Sequence, residues 1–260
     1  STFELNTSIN ISLIKASKPD FILNINSFWI IRKEILQIPN FASVNFHNGP
    51  LPLYGGVNIP SWAIINGEAS HGITWHLIDD GIDTGDIVWQ KIINIDANAT
   101  AGMLMAKCII EGIKLFENNF RTLLDKTYMT SKQKGTSSYY SLKDIPENSG
   151  IINFNKIFAE INNLIRGLNY IPFENNFIYS KLKSNVGEII INRISEFKME
   201  ETFKPGYIIK ANSSCIRISC SNSIIQIENA MTHSFVYLKN DSIIKELNLK
   251  QGNFINNSYN

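Results

Sequence analysis

Between Lys18 and Asp96, short apolar runs alternate with segments whose apolar residues recur at helical spacing. This alternation narrows the fold more than any other feature of the chain. FILNINS (21–27), ASVNF (42–46), GITWHLI (72–78) and DIVWQKIINI (86–95) read as strands. IIRKEIL (30–36) and PSWAIING (60–67) read as helices, the second with Pro60 in its first turn and Gly67 just past its end. Strands separated by helices predict a mostly parallel α/β sheet. After Thr100 the residues Leu104, Cys108, Ile113, Phe116, Phe120 and Leu124 mark one face of a long helix, expected to pack on that sheet.

The periodicity is lost from Thr127 to Gly150, where Ser, Lys, Gly and Pro collect, and the segment reads as a connector. Beyond it, one helix in FNKIFAEINNLIRGL precedes four β-rich segments, EIIINRI, PGYIIKA, SCIRISC and SIIQIENA, which predict a small antiparallel barrel. The expected division is a catalytic domain over residues 1–126, a linker over 127–150 and a helix-plus-barrel domain over 151–250. With 260 residues, 44% of them hydrophobic, the chain can bury cores of this size. The Asn-rich end, NNSYN, is expected to fray.

Lys and Arg number 24 against 23 Asp and Glu, so net charge gives no reason to expect a nucleic-acid partner. Lys132, Lys134, Lys181 and Lys183 are the one local basic set worth tracing. Cys108, Cys215 and Cys220 form no CxxC pair, and an odd count suits reduced core thiols. Charges interrupt every apolar stretch within a few residues, and no basic-then-apolar signal opens the chain, so a cytoplasmic protein without a membrane partner is expected.

Chemistry concentrates in VNFHNGPLPLYGG (44–56). In a strand, alternation puts Asn45 and His47 on one face and Val44 and Phe46 on the other. A loop rich in Gly and Pro follows at the strand's carboxyl end, where open α/β sheets bind ligands. Gly49, Gly55 and Gly56 permit close backbone approach, and Pro50 and Pro52 stiffen the loop. A turn with an incidental histidine is the competing reading. A second cluster, IDDGIDTGDI, holds Asp79, Asp80, Asp83 and Asp86, but its spacing fails the calcium-loop pattern. Asp83 is the acid best placed to orient a histidine at a neighbouring strand end, against solvated turn acids as the alternative. His71 and His76 lack a carboxylate or thiolate at zinc-ligand spacing and are expected to pack or to order loops.

The ordered set NFHNGPLP, SWAIINGE, HGITWH and DGIDTGDI resembles the folate-dependent formyltransferases, and INFNKIFAEINNLIRGL with PGYIIKA resembles the second domain of that family, over about residues 17 to 230 in all. The resemblance implies a Rossmann-like sheet followed by an OB-like barrel, 10-formyltetrahydrofolate as co-substrate, no metal, and transfer of the formyl group to a primary amine. It implies Asn45, His47 and Asp83 as catalytic residues. The pterin pocket is expected to be lined by Asn26, Phe28, Gly49, Pro50, Leu51, Pro52, Ile78, Asp80 and Ile82. Arg166 is expected to tie its helix to the first domain.

Within the family the wording is most similar to the formylation domains of nonribosomal peptide synthetases. That implies an amino acid or carrier-bound aminoacyl acceptor and fusion to, or association with, other biosynthetic domains. A nucleotide-linked amino sugar is the alternative acceptor, and a non-catalytic truncated module the alternative class. The uncharged loop LYGG differs from the basic loop of the tRNA enzymes. The family's opening strands and helices have no counterpart before STFELNTSINISLIKAS, so a fragment of a longer protein is expected; the alternative is a truncated domain in which FILNINS is an edge strand with unpaired backbone groups.

Overall fold

The structure, a computed structural model, describes residues 6–27 and 30–255. Phe28, expected in the pocket, and the NNSYN end lie outside these residues. Helix α1 (Ser8–Ser17) starts at Thr7, whose hydroxyl accepts the Asn10 N–H, and ends at Lys18 in the left-handed region. Then follow β1 (Phe21–Ile25), the short α2 (Lys33–Leu36), β2 (Ala42–His47), β3 (Gly55–Gly56), α3 (Ile59–Ile65), β4 (Ser70–Leu77), β5 (Ile87–Asn94), α4 (Ala101–Leu124) and β6 (Tyr139–Tyr140).

The first sheet has the order β1-β2-β4-β5. Among the described residues β1 is at its edge. Only β1 and β2 run parallel; β2–β4 and β4–β5 are antiparallel. The expectation of a mostly parallel sheet is corrected on this point. Residues 78–86, which join β4 to β5, are too few for the crossover that a parallel pair needs, roughly a dozen residues or more. Val44 and Phe46 turn into the core, where the Trp75 ring lies 5.1 Å from Phe46 and 5.1 Å from Phe116 of α4. The Trp75 indole also donates to the Gly112 carbonyl at 3.2 Å, so α4 is tied to the sheet by both apolar burial and a satisfied polar tip.

The segment expected as a connector is largely built into this first unit. Ser131 and Ile87 exchange backbone hydrogen bonds of 2.9 and 2.8 Å, and β6 pairs with β3 in parallel. Extended, aperiodic chain can satisfy its backbone by adding to an existing edge, which leaves no signature in apolar spacing. The compact units accordingly interleave along the chain: one takes the described residues of Ser1–Ile59 with Ala69–Ile95 and Leu104–Leu142, the other Pro60–Glu68, Asp96–Met103 and Lys143 onward.

The second unit contains α5 (Phe158–Gly167), β7 (Lys181–Lys183), β8 (Glu188–Phe197), β9 (Ile208–Ala211), β10 (Ile216–Ser219), β11 (Ile224–Met231) and α6 (Asn240–Leu247). Its strands form an antiparallel sheet in the order β7-β8-β11-β10-β9, curled as a half-barrel of OB-like type. Ile161 and Ile165 of α5 pack with Ile189, Ile191, Ile216, Ile218 and Ile225 in one core. Arg166 donates to the Ala99 carbonyl at 2.8 Å and to Asn163 Oδ1 at 2.6 Å. Its partner residue Ala99 belongs to this same unit, so the tie expected of Arg166 fastens the 96–103 segment here. All three cysteines are free and buried. Among the described residues no helix is long and apolar enough to cross a membrane.

Candidate active site

Three strands of the first unit bring polar side chains into one row. The parallel register sets Asn24 beside Asn45, and the antiparallel register sets Asn45 beside His76. Neighbours directly opposite on paired strands share a face, so the three side chains meet although they come from distant parts of the chain. Asn24 Nδ2 donates to Asn45 Oδ1 at 2.7 Å. At its other end, Asn45 Nδ2 lies 3.0 Å from His76 Nε2 and 3.5 Å from Asp83 Oδ1.

The proton on His76 follows from its partners. Nδ1 is 2.8 Å from the Leu77 carbonyl, which can only accept, so Nδ1 carries a hydrogen, while Nε2 lies 3.0 Å from Asn45 Nδ2 and 3.4 Å from Asp83 Oδ1. His76, expected only to pack or order a loop, is therefore a member of the cluster. The signal for it was the polar alternation Thr74, His76 within an otherwise apolar strand.

His47 is two residues along β2 from Asn45 and is 6% exposed. Its Nε2–H donates to the Tyr54 carbonyl at 2.7 Å, while Nδ1 lies 3.4 Å from Asp83 Oδ2. A Cβ on Gly49 would fall 2.5 Å from the Tyr54 oxygen and 2.6 Å from Nε2, so only glycine allows the loop to close over this bond. Burial lowers the His47 pKa and the Asp83 charge raises it, with burial prevailing: the value lies below the ordinary imidazole range. The ring is thus neutral near pH 7, and its available lone pair is on Nδ1.

Asp83 has a backbone φ of 56°, a conformation few residues other than Gly, Asn and Asp adopt readily. The loop holds it there from several sides. Asp79 Oδ1 accepts the Gly81 N–H at 3.1 Å and the Thr84 hydroxyl at 2.6 Å, and the Gln133 amide donates to the Asp83 and Gly85 carbonyls at 2.8 Å each. The Gly56 N–H donates to Asp83 Oδ2 at 2.8 Å. Gly56 has φ 99°, and a Cβ there would meet the Tyr140 oxygen at 2.0 Å. Burial would raise the Asp83 pKa, but the His76 ring, the His47 ring and the Gly56 N–H outweigh it, and the carboxyl stays below its ordinary value.

The other loop acids have separate partners. Asp80 pairs with Lys33 at 2.9 Å and Asp86 with Lys132 at 3.0 Å, both near solvent. His71 turns its Nε2 to the Asn48 carbonyl at 2.8 Å, outside the cluster. Among the residues expected to line the pterin pocket, Asn26 is exposed and its Oδ1 accepts from Asn48 at 3.3 Å. Leu51 is buried; its N–H donates to Thr74 Oγ1 at 3.3 Å and its carbonyl accepts from Gln90 at 2.8 Å, so it anchors the loop. Gly49 is buried, Pro50, Pro52 and Ile78 are half-buried, and Asp80 and Ile82 are exposed. A separate concavity of about 450 Å³ between α1 and α2, lined by Lys15, Lys18 and Glu34, contains none of these residues.

A carboxamide, an imidazole and a carboxylate within one partly open cluster suit acyl chemistry: a donor for a developing oxyanion, and a base backed by a negative charge. The protein-family comparison agrees with that chemistry. Residues 4–117 match the family described as formyl transferase, and residues 144–234 match the formyl transferase C-terminal domain. A methionyl-tRNA formyltransferase of Clostridium beijerinckii is 33% identical over 218 residues, 84% of this chain and 68% of that protein.

The chain belongs to the folate-dependent formyltransferase family.

It is an N-formyltransferase on these grounds, and the family uses formyl-tetrahydrofolate. A second relative, the methionyl-tRNA formyltransferase of Clostridium tetani, is 34% identical over 83% of this chain and 67% of its own length. Among solved structures, the N-formyltransferase from Helicobacter canadensis, in complex with folinic acid and dTDP-3-aminofucose, superposes with a TM-score of 0.61 at 31% identity, covering 79% of this chain and 71% of that one.

Proposed function

We propose that this formyltransferase moves the formyl group of 10-formyltetrahydrofolate onto the primary amine of a nucleotide-linked amino sugar, with Asn45, His47 and Asp83 as its catalytic residues. The observation that carries the catalytic assignment is the single carboxylate of Asp83, 3.4 Å from His47 Nδ1 and 3.5 Å from Asn45 Nδ2. The bound folate supplies an activated formyl carbon. Asn45 Nδ2 donates to the oxygen of that carbon as negative charge develops on it. The amine nitrogen bonds to the formyl carbon, His47 Nδ1 accepts the proton it releases, and the adjacent Asp83 carboxylate stabilises the resulting imidazolium. As the tetrahedral intermediate collapses, the C–N10 bond breaks and the imidazolium gives that proton to N10 of the departing tetrahydrofolate. The fixed bond to Tyr54 keeps Nε2 protonated, so Nδ1 is the basic atom throughout. The folate side is assigned to Gly49, Pro50 and Pro52, held by the buried Leu51, to the 78–82 segment and to Asn26.

For the acceptor, the support is the amino-sugar ligand of the 31%-identical Helicobacter canadensis enzyme, together with the absence of any charge in residues 51–58. A tRNA ligand would need several Lys or Arg along its phosphate path. Lys132 and Lys181 are engaged with Asp86 and Glu188. The tRNA reading is favoured by the curated relatives, which are methionyl-tRNA formyltransferases. A carrier-bound aminoacyl group has only the sequence resemblance behind it.

The test is a direct comparison of dTDP-3-aminofucose, methionyl initiator tRNA and a carrier-loaded amino acid as acceptors at one moderate salt concentration. The amino sugar should be formylated with the highest kcat/KM. Faster formylation of the charged tRNA, with a steep salt dependence, would overturn the proposed acceptor and leave the formyl chemistry standing.

A further inference from the structure

We infer that Asn24 is a positioning residue for the reaction: it fixes which end of the Asn45 carboxamide faces the reacting formyl group. The inference rests on the oxyanion role proposed for Asn45. An amide side chain can be rotated by half a turn with little change of shape, exchanging its donor end for its acceptor end. For Asn45 the two orientations differ sharply in chemistry, because only one presents N–H groups to an oxyanion.

Two neighbours choose between them. On one side, beside His76, stands the Asp83 carboxylate, which only accepts, 3.5 Å from Asn45 Nδ2. It repels an oxygen. On the other side, Asn24 Nδ2 supplies a donor 2.7 Å from Asn45 Oδ1. Asn24 is the member of this set contributed by the edge strand β1, placed opposite Asn45 by the parallel register. Asp83 Oδ1 and His76 Nε2 lie only 3.4 Å from each other, on the same side of Asn45 Nδ2, so one of its two hydrogens faces that side and the other is left for substrate oxygen during the reaction. Because Asn45 is only half-buried, water competes for both ends of its amide, so the donor on Asn24 adds selectivity that burial does not supply.

The sharpest test uses Asn24→Asp, which preserves shape and replaces the donor by an acceptor. Asn24→Leu removes the donor without introducing a new charge. With 10-formyltetrahydrofolate and dTDP-3-aminofucose, Asn24→Leu should lower kcat roughly 5- to 50-fold and Asn24→Asp roughly 100-fold, with the KM for the folate changing less than about 2-fold. A purely structural role predicts instead that activity follows the thermal midpoint, with no special penalty for the isosteric acid.

A second measurement needs no turnover. In a ¹H–¹⁵N spectrum of the free protein, the Asn45 side-chain resonance, identified by its loss in Asn45→Ala, should move strongly in Asn24→Asp and less in Asn24→Leu. An unmoved resonance overturns the inference. If Asn45→Ala loses activity while Asn24→Asp keeps it, the inference fails and the proposed chemistry stands. A wild-type rate in both variants overturns both.

Discussion

The end of the first sheet and the half-barrel of the second unit bury different kinds of side chain. In the half-barrel the core is chiefly isoleucine, and its buried polar residues are small: Ser180, Ser219 and Ser223. At the end of the first sheet, His47, Thr74 and His76 are buried within strands, and Asn26, Tyr54, Asn58 and Asp83 adopt left-handed backbone conformations. Buried polar groups are tolerated when each is bonded, and here the bonds run among the same groups to which the chemistry is assigned under the proposed function. Packing quality should therefore govern stability in the half-barrel, whereas at the sheet end a substitution can remove activity with little unfolding.

The largest test of that contrast is His47→Ala. Formyl transfer should fall roughly 10²- to 10⁴-fold while folate binding and the circular-dichroism melt change little. Near-normal turnover would move His47 from chemistry to structure. On the opposite side, Ile191→Ala in the half-barrel core should destabilise the protein by about 2–5 kcal/mol in denaturant titrations. The folded enzyme should keep kcat within about 2-fold. A large kcat defect there would erase the distinction between the two regions.

A subtler effect is expected from Asp83→Asn. The carboxylate raises the His47 pKa against burial, so removing it lets that pKa fall further. The base form of His47 predominates above its pKa, and the acid limb of the pH–rate profile should shift to lower pH as the maximal rate declines. A limb that moves upward would show that Asp83 does not act on His47 through charge. The smallest effect belongs to the exposed pair of Lys33 and Asp80. Lys33→Ala should change stability by under about 0.5 kcal/mol, an effect that added salt abolishes.

Much of the outline is legible in the sequence. β2 was readable because Val44 and Phe46 alternate with Asn45 and His47, and α3 because Pro60 and Gly67 bracket it. The half-barrel announced itself through EIIINRI, SCIRISC and SIIQIENA, whose isoleucines enter the core at strand spacing. Strand direction within the first sheet is not legible in this way, and neither are two further features. Residues 127–142 read as a connector because Ser131, Gln133 and Tyr139–Tyr140 act through backbone pairing and one side-chain amide, none of which imposes periodicity. His76 looked like a packing residue because its neighbours in sequence, Trp75 and Leu77, belong to the core and to the strand backbone.

By itself, then, the order of residues determined the kinds of element, the face on which Asn45 and His47 stand, and membership in a family through a set of short, ordered motifs. These are consequences of local geometry: a strand alternates sides every residue, and a loop of Gly and Pro can take few shapes. Only the tertiary structure decided that Asn24, Asn45 and His76 share a row, that His47 turns Nε2 to the Tyr54 carbonyl and Nδ1 toward Asp83, and that Gly56 holds Asp83 by its N–H. Strand register is set by pairing between segments tens of residues apart, and a slip of one residue would turn every one of these side chains to the opposite face.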